Sequence, residues 1–206
     1  MNNKKIFITG TDTSIGKTYV AIQLLKECNT EGLNTIGIKP VASDARFCHG
    51  KLMNDDALAL QQAASIKLDY DLINPFVFEP AIAPHIAANL ENRQLSVELL
   101  TQATQPALNY PADIHLVEGC GGWLCPLNDT ETMADYVVAN NFDVILVVGM
   151  RLGCLNHALL TYQAIKQSGA RLIGWIANCI DAKMLHRDKN IQTLENLIQV
   201  PCINIM

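Results

Sequence analysis

The hydrophobic positions of this 206-residue chain fall into short apolar runs that alternate with stretches of helical spacing. The apolar runs predict five strands, at residues 6–9, 35–38, 114–117, 144–148 and 172–177. Helical spacing predicts helices between them, at residues 17–31, 55–64, 97–108, 133–139 and 155–167. Strands that are apolar almost throughout and separated by helices are typical of a parallel sheet covered on both faces. We therefore predict an α/β fold with a mostly parallel sheet, helices on both faces and one domain over residues 1–206.

Two further details follow from the same pattern. The apolar residues of the first helix recur at helical spacing and predict one buried stripe, formed by Val20, Leu24 and Cys28 with Ala21 and Leu25 beside them. The region from residue 43 to about residue 109 is less regular, and we expect three prolines to interrupt it: Pro75, Pro80 and Pro84. Trp123 and Trp175 are interpreted as core residues.

Ligands of parallel sheets bind beyond the carboxyl ends of the strands, so the residues just after each strand carry the most information. Residues 10–18, G-T-D-T-S-I-G-K-T, follow the first strand and open the first helix. We call them the phosphate loop, because the N–H groups and dipole of a helix start favour a phosphate there. With this loop between the first strand and the first helix, the predicted α/β fold is P-loop NTPase-like. Gly16 permits close approach of the backbone, Lys17 supplies charge for the β- and γ-phosphates, and the Thr18 hydroxyl can ligate magnesium. The N–H of Tyr19 is placed to reach the α-phosphate.

Carboxylates near the phosphates are expected because phosphoryl transfer depends on positioning and on neutralising charge with magnesium. Glu118 directly follows the strand at 114–117, and the next four residues, 119–122, contain three glycines that let the backbone pass close to a ligand. Asp55 and Asp56 begin a helix, and Asp12 lies inside the phosphate loop. A purely structural role as turn or helix-start acids is the alternative for each of these residues.

Composition narrows the classes of function. Half of the residues are hydrophobic and 17% are charged, which is enough to bury a core and argues against disorder. The formal charge is −5 and no basic run exceeds the pair Lys4-Lys5, so we expect no nucleic-acid partner. No apolar stretch approaches a membrane span or a secretory signal, and none of the seven cysteines lies in a C-x-x-C pair. We expect a cytoplasmic protein with reduced thiols and no membrane partner.

Read together, several segments in order resemble the dethiobiotin synthetase family: G-T-D-T-S-I-G-K-T, G-I-K-P-V-A-S, N-D-D-A-L-A-L, N-P-F-V-F-E-P-A-I-A-P-H-I-A-A, L-V-E-G-C-G-G-W, V-I-L-V-V-G-M-R-L-G-C-L-N-H-A and G-W-I-A-N. They span about residues 6–178. The resemblance implies a magnesium-dependent ligase that joins carbon dioxide to 7,8-diaminononanoate as a carbamate. ATP phosphorylates the carbamate, and the second amine then closes a cyclic urea and releases phosphate.

The resemblance also implies roles for particular residues. Lys17 and Lys39 are the expected catalytic cations, with Lys39 between the carbamate and the γ-phosphate. Magnesium is expected on Thr18, Asp56 and Glu118. The expected ATP contacts are Thr13, Ser14, Ile15, Gly16, Lys17, Thr18, Tyr19, Asp56, Glu118, Gly119, Cys120, Gly121, Asn178 and Cys179. The substrate is expected to meet Ser43 and, at the start of a helix supplied by the second subunit of a homodimer, Gly153, Cys154, Leu155 and Asn156.

Other interpretations stay open. The strict phosphate-loop pattern has glycine where this chain has Thr11, so the Gly-Lys-Thr sequence has an accidental alternative. A P-loop switch of the partitioning type and a relative that binds nucleotide without turnover are the competing functions. The second gains slightly from the end of the sequence at Met206 without the family's Gly-x-x-Pro-like segment. That segment and Cys179, at a commonly acidic position of the family, both fall on the side of the site that the resemblance assigns to the nucleotide base. An amidoligase with a glutaminase domain does not fit 206 residues.

Overall fold

The computed structural model describes residues 3–48 and 50–206. Its main feature is a six-stranded sheet in which every neighbouring pair is parallel. In chain order the described strands are β1 (Lys4–Gly10), β2 (Thr35–Ile38), β3 (Val41–Ala42), β4 (Arg46–Cys48), β5 (Lys51–Met53), β6 (Phe76–Val77), β7 (Ile114–Glu118), β8 (Asp143–Gly149), β9 (Arg171–Asn178) and β10 (Cys202–Ile205). The main sheet has the order β10-β9-β8-β1-β7-β2, while β3 pairs with β6 and β4 with β5.

Helices connect the strands of this sheet. They are α1 (Lys17–Thr30), α2 (Asp55–Ala63), α3 (Tyr70–Ile73), α4 (Pro84–Leu90), α5 (Val97–Leu108), α6 (Met133–Ala139), α7 (Cys154–Ser168) and α8 (Arg187–Leu197). Within the described part of the chain, none of them is both long and apolar enough to cross a bilayer.

The central strands bury side chains on both faces of the sheet. Successive residues of β1, Phe7 and Ile8, belong to different buried clusters, and so do Leu146 and Val147 of β8. Side chains of a strand point alternately to opposite faces, so each strand contributes to two cores. The clusters on the two faces include residues of α1 and α2 in one and of α5, α6 and α7 in the other. The predicted parallel α/β fold with two covered faces is therefore confirmed, and Trp123 and Trp175 are buried as expected.

The buried stripe of α1 was predicted slightly out of phase. Val20, Ala21 and Leu25 are buried, but Leu24 and Cys28 are only half-buried. Lys17 is buried on this helix instead. The reason is tertiary: the start of α1 faces the carboxyl edge of the sheet, where a charged side chain has partners.

Two other regions differ from the sequence expectation. Pro84 does not interrupt the chain but lies in the first turn of α4, where its fixed φ and missing N–H are tolerated. The residues after β9, for which no element was predicted, form α8 and the edge strand β10. Directly after β10 the backbone N–H of Met206 donates to the carbonyl of Ala177, and the carbonyl of Met206 accepts from the N–H of Cys179. Main-chain hydrogen bonds therefore hold this edge of the sheet without a long apolar run.

Because β1 is packed on both faces, truncating one of its buried side chains should lower the free energy of unfolding substantially. Phe7 is fully buried and stacks on Phe142, with ring centroids 6.1 Å apart. Phe7→Ala should lower the free energy of unfolding by about 3–5 kcal/mol, because it removes apolar contacts and leaves a cavity. The matched control is Phe47→Ala, since Phe47 is 71% exposed, and it should change stability by less than about 0.5 kcal/mol. Urea titrations of both variants provide the measurement, and equal losses would contradict the assigned core.

Candidate active site

A cavity of about 830 Å³ opens at the carboxyl ends of neighbouring strands β1, β7 and β2. Its walls come from the segments that follow these strands and from the start of α2. The predicted site residues that line it are Thr13, Ser14, Gly16, Lys17, Thr18, Lys39, Ser43, Asp56, Glu118, Cys120 and Gly121. These residues come together because parallel strands all present their carboxyl ends at the same edge of the sheet.

The phosphate loop is held by two side-chain hydrogen bonds to its backbone. Gly16 has a left-handed backbone with φ of +82°, and a Cβ there would stand 2.2 Å from the side-chain nitrogen of Asn178. That Asn178 nitrogen donates a hydrogen bond of 2.7 Å to the carbonyl of Ile15. Lys17 Nζ donates to the carbonyl of Asp12 at 2.8 Å, which turns the lysine side chain back over the loop. The loop is therefore shaped before any ligand arrives.

Lys39 is the buried cation at the centre of the site. It follows β2, and its Nζ donates to Glu118 Oε1 at 2.6 Å and to the carbonyl of Gly119 at 3.2 Å. Asp56 Oδ2 lies 3.5 Å from the same nitrogen. Thr18 Oγ1 also donates to Glu118 Oε1, at 2.8 Å. One carboxylate oxygen of β7 thus joins the first helix to Lys39 after β2, and Lys39 in turn contacts Asp56 at the start of α2.

The two lysines respond to this environment in opposite ways. Burial lowers the pKa of Lys17, and the nearby positive charge of Lys39 lowers it further. Burial also acts to lower the pKa of Lys39, but the charges of Glu118 and Asp56 and the hydrogen bond to Glu118 outweigh it and raise that pKa above its ordinary value. The surroundings of Lys39 therefore favour its charged form, whereas burial and the charge of Lys39 disfavour the charged form of Lys17.

The oxygen atoms beside Lys39 suit a hard divalent cation. Glu118 Oε2 is buried and has no hydrogen-bond partner among the described residues. The Asp56 carboxylate is about half-exposed on the cavity, and the Thr18 hydroxyl adjoins Glu118. Magnesium is commonly bound through one or two carboxylates together with substrate phosphates and water. The predicted set Thr18, Asp56 and Glu118 therefore fits magnesium, because it offers oxygen ligands and because Glu118 Oε2 has no other partner among the described residues.

Several residues of the cavity were not singled out from the sequence. Asn54 caps α2 by accepting from the N–H of Ala57, and its side-chain nitrogen donates to the carbonyl of Ser43 at 3.0 Å. Ser43 Oγ itself is buried without a partner among the described residues, so it is free to bond a ligand. Asn before an acidic helix start is a recognisable cap signal. The other lining residues that the sequence did not mark are Ala42, Asp44, Ala81, Ile82, Ala83 and Cys125. Asp55, marked as a carboxylate at a helix start, lines the cavity beside Asp56.

Some predicted residues lie away from the cavity wall. Ile15 is buried in the core behind the loop, and the side chain of Tyr19 is 52% exposed. Asn178 is committed to Ile15, and Cys179 is tied through its N–H to Met206. Gly119 contributes its carbonyl to Lys39. Residues 153–156 form the start of α7 after β8, with Cys154 buried and Asn156 exposed, and they do not belong to the residues lining this cavity.

A loop with this Gly-Lys-Thr sequence between a central parallel strand and a helix defines a P-loop nucleotide-binding protein. Solved structures with the same fold include a ParA family ATPase from Chlorobium tepidum TLS, with a TM-score of 0.57, 17% identity and coverage of 100% of this chain and 84% of that one. The MinC:MinD cell division complex of Aquifex aeolicus gives a TM-score of 0.58, 15% identity and coverage of 98% and 81%. At these identities the likeness shows the fold alone.

Sequence relatives define the family more closely. A family model described as an AAA domain matches residues 4–205. The ATP-dependent dethiobiotin synthetase BioD of Cellvibrio japonicus (strain Ueda107) is 48% identical over 206 residues, covering 100% of this chain and 90% of the relative. Dethiobiotin synthetase BioD 1 of Escherichia coli O157:H7 is 43% identical over 201 residues, covering 98% and 89%. The chain belongs to the ATP-dependent dethiobiotin synthetase family, as its motifs predicted.

The loop geometry predicts an unequal effect of the same substitution at two glycines. Gly16 and Gly32 both have left-handed backbones, with φ of +82° and +80°, but an added Cβ at Gly32 meets no atom within 4 Å. Both Gly→Ala changes should cost about 1–2 kcal/mol for the backbone conformation. Gly16→Ala should cost about 1 kcal/mol more, because it displaces Asn178 from Ile15. Urea unfolding measures the difference. An equal loss of unfolding free energy in the two variants would contradict a stabilising role for the hydrogen bond from Asn178 to Ile15.

Proposed function

We propose that this protein uses ATP and magnesium to close a cyclic urea on 7,8-diaminononanoate with carbon dioxide, which yields dethiobiotin. The observation that carries the proposal is the pair of buried lysines at the cavity, Lys17 on the phosphate loop and Lys39 beside Glu118. Membership of the dethiobiotin synthetase family supports the choice of substrate. We further propose that residues 1–206 act as one domain in the cytoplasm.

The electrostatics of the cavity support the binding of a polyphosphate. Lys17 and Lys39 repel each other, and this repulsion contributes to the lowered pKa of Lys17. An anion between them offsets the repulsion and favours the charged form of Lys17. The N–H groups at the start of α1 add a favourable dipole at the same place. A triphosphate between Lys17 and Lys39 would therefore offset the repulsion of the two ammonium groups.

Magnesium is proposed to lie on Thr18, Asp56 and Glu118, where the buried Glu118 Oε2 has no other described partner. When bound, the ion would neutralise phosphate charge. The remaining work belongs to the protein. Lys39 presents its ammonium group to the cavity from a position fixed by Glu118 and Gly119. A preorganised cation of this kind stabilises the negative charge that develops while the phosphoryl group passes from ATP to a carbamate.

The diamine is proposed to meet Ser43, whose buried hydroxyl has no partner among the described residues. The carboxylate of the diamine is proposed to bind at the start of α7, residues 153–156, in the second subunit of a homodimer. Two observations support this arrangement. These residues lie apart from the cavity of their own chain, and the same end of α7 carries Leu152, which is 95% exposed. Burying such a side chain against a second subunit is favourable.

The competing proposals of a partitioning-type switch and an inactive relative are separated by one assay. Purified protein is incubated with ATP, magnesium and bicarbonate, with and without 7,8-diaminononanoate, while phosphate release and product mass are followed. We expect dethiobiotin to form in step with phosphate, and only when the diamine is present. Phosphate release that ignores the diamine would favour a switch. The absence of both would favour the inactive relative.

The position of Lys39 predicts a selective loss of rate. Lys39→Gln removes the cation but keeps a polar side chain, so ATP binding measured by calorimetry should change little, while turnover should fall by about 10²–10³-fold, the usual cost of losing one transition-state donor. Lys51→Gln is the matched control, because Lys51 forms an exposed ion pair with Asp71 at 2.7 Å. It should leave turnover unchanged. Normal turnover in Lys39→Gln would refute the assigned role.

A further inference from the structure

Two cysteines face each other on the wall of the cavity. The sulfur atoms of Cys120 and Cys125 lie 3.5 Å apart, and both residues line the cavity. Both are half-buried. A disulfide bond requires about 2.05 Å between its sulfurs, so an approach of roughly 1.5 Å would join them. We call Cys120 and Cys125 the thiol pair.

The backbone around the thiol pair holds this arrangement. The N–H of Gly119 donates to Ile8 of β1 at 3.0 Å, and the carbonyl of Cys125 accepts from Met133 of α6 at 2.8 Å. Between these anchors Gly121 turns the chain with φ of +59°, and a Cβ there would stand only 3.3 Å from the Cys125 sulfur. The buried ring of Trp123 fixes the middle of the loop. The anchored loop therefore already holds the two sulfur atoms face to face, and a small movement of Cys120 toward Cys125 would join them.

We propose that the thiol pair forms a reversible disulfide when the protein meets a peroxide, and that the bridge lowers turnover. In the first step one thiol sulfur attacks the peroxide, the O–O bond breaks, and a sulfenic acid and one water form. The second sulfur then attacks the sulfenic sulfur. The S–S bond forms, the S–O bond breaks, and the hydroxyl leaves as water with the proton of the second thiol. Two thiols and one hydrogen peroxide thus give one disulfide and two waters, and an added dithiol reverses the change.

The effect on turnover rests on the proposed function. Cys120 directly follows Gly119, whose carbonyl accepts from Lys39, and Lys39 in turn binds Glu118. Pulling the Cys120 side chain toward Cys125 strains the peptide unit that positions Lys39. Displacements near 1 Å close to reacting groups can cost about 10²-fold in rate. We therefore expect the bridged protein to turn over at least about tenfold more slowly than the reduced protein, with recovery after dithiothreitol.

Peptide mass analysis can test the bridge without any activity measurement. The segment from Gln94 to Arg151 contains no internal lysine or arginine, and its only cysteines are the thiol pair. The folded protein is treated with graded hydrogen peroxide, free thiols are alkylated with iodoacetamide, and the chain is digested with trypsin. We expect peptide 94–151 to appear unalkylated and lighter by two hydrogen atoms. Treatment with dithiothreitol after the peroxide and before the iodoacetamide should return the doubly alkylated peptide.

Two serine variants complete the experiment. Cys125→Ser cannot form the bridge, so its turnover should lose less on peroxide treatment than that of the native protein, each measured against its own reduced form. Cys28→Ser is the matched control, because Cys28 lies near the end of α1 and does not line the cavity. It should form the bridge as the native protein does.

The outcomes separate the two claims. The bridge is overturned if peptide 94–151 keeps two alkylatable thiols after the peptides holding Cys28 or Cys48 have become oxidised, or if Cys120 goes only to a sulfinic acid. A bridged protein with unchanged turnover overturns the effect on rate. If the reduced protein makes no dethiobiotin, the proposed function fails, while the peptide masses still decide the bridge.

Discussion

A buried ammonium group must be neutralised, and the contact between Lys39 and Glu118 meets that requirement at the centre of this structure. Lys39 directly follows β2, Glu118 ends the neighbouring parallel strand β7, and Thr18 of α1 donates to the same carboxylate oxygen. Removing one partner of a buried pair leaves an uncompensated charge, which costs far more than the pair contributes. The relative positions of β2, β7 and α1 are therefore tied to the same few atoms that face the cavity, so stability and chemistry share one network.

The fold and the chemistry carry different kinds of information. ParA and MinD proteins share the architecture at 15–17% identity, so the likeness shows the fold and leaves the chemistry of the site to its side chains. The groups beyond the loop determine the chemistry of this site: Lys39, and the Ser43 hydroxyl and Glu118 Oε2, which have no hydrogen-bond partner among the described residues. Each follows a strand end or lies near the start of α2. Architecture supplies the common edge, and a few side chains on that edge set what the cavity can bind.

The thiol pair lies at the same edge of the sheet, next to the contacts of Lys39. Its loop begins at the carbonyl that binds Lys39, and it ends where Cys125 accepts from Met133 of α6. A covalent change in this loop is therefore close to the central ion pair. The cysteines at positions 120 and 125 give the cavity wall a chemistry that the glycines between them cannot provide.

The sequence alone was sufficient for the parallel sheet, the phosphate loop and the carboxylates at the strand ends, because local patterns carry each of these features: apolar runs, Gly-Lys-Thr before a helix, and acids directly after a strand. Tertiary structure decided the rest. Asn178 clamps Ile15 across 163 positions of the chain, α1 buries Lys17 instead of Leu24, and β10 completes an edge by main-chain bonds. Such contacts join residues far apart in the chain, and their geometry depends on how helices settle on the sheet, which no local spacing encodes.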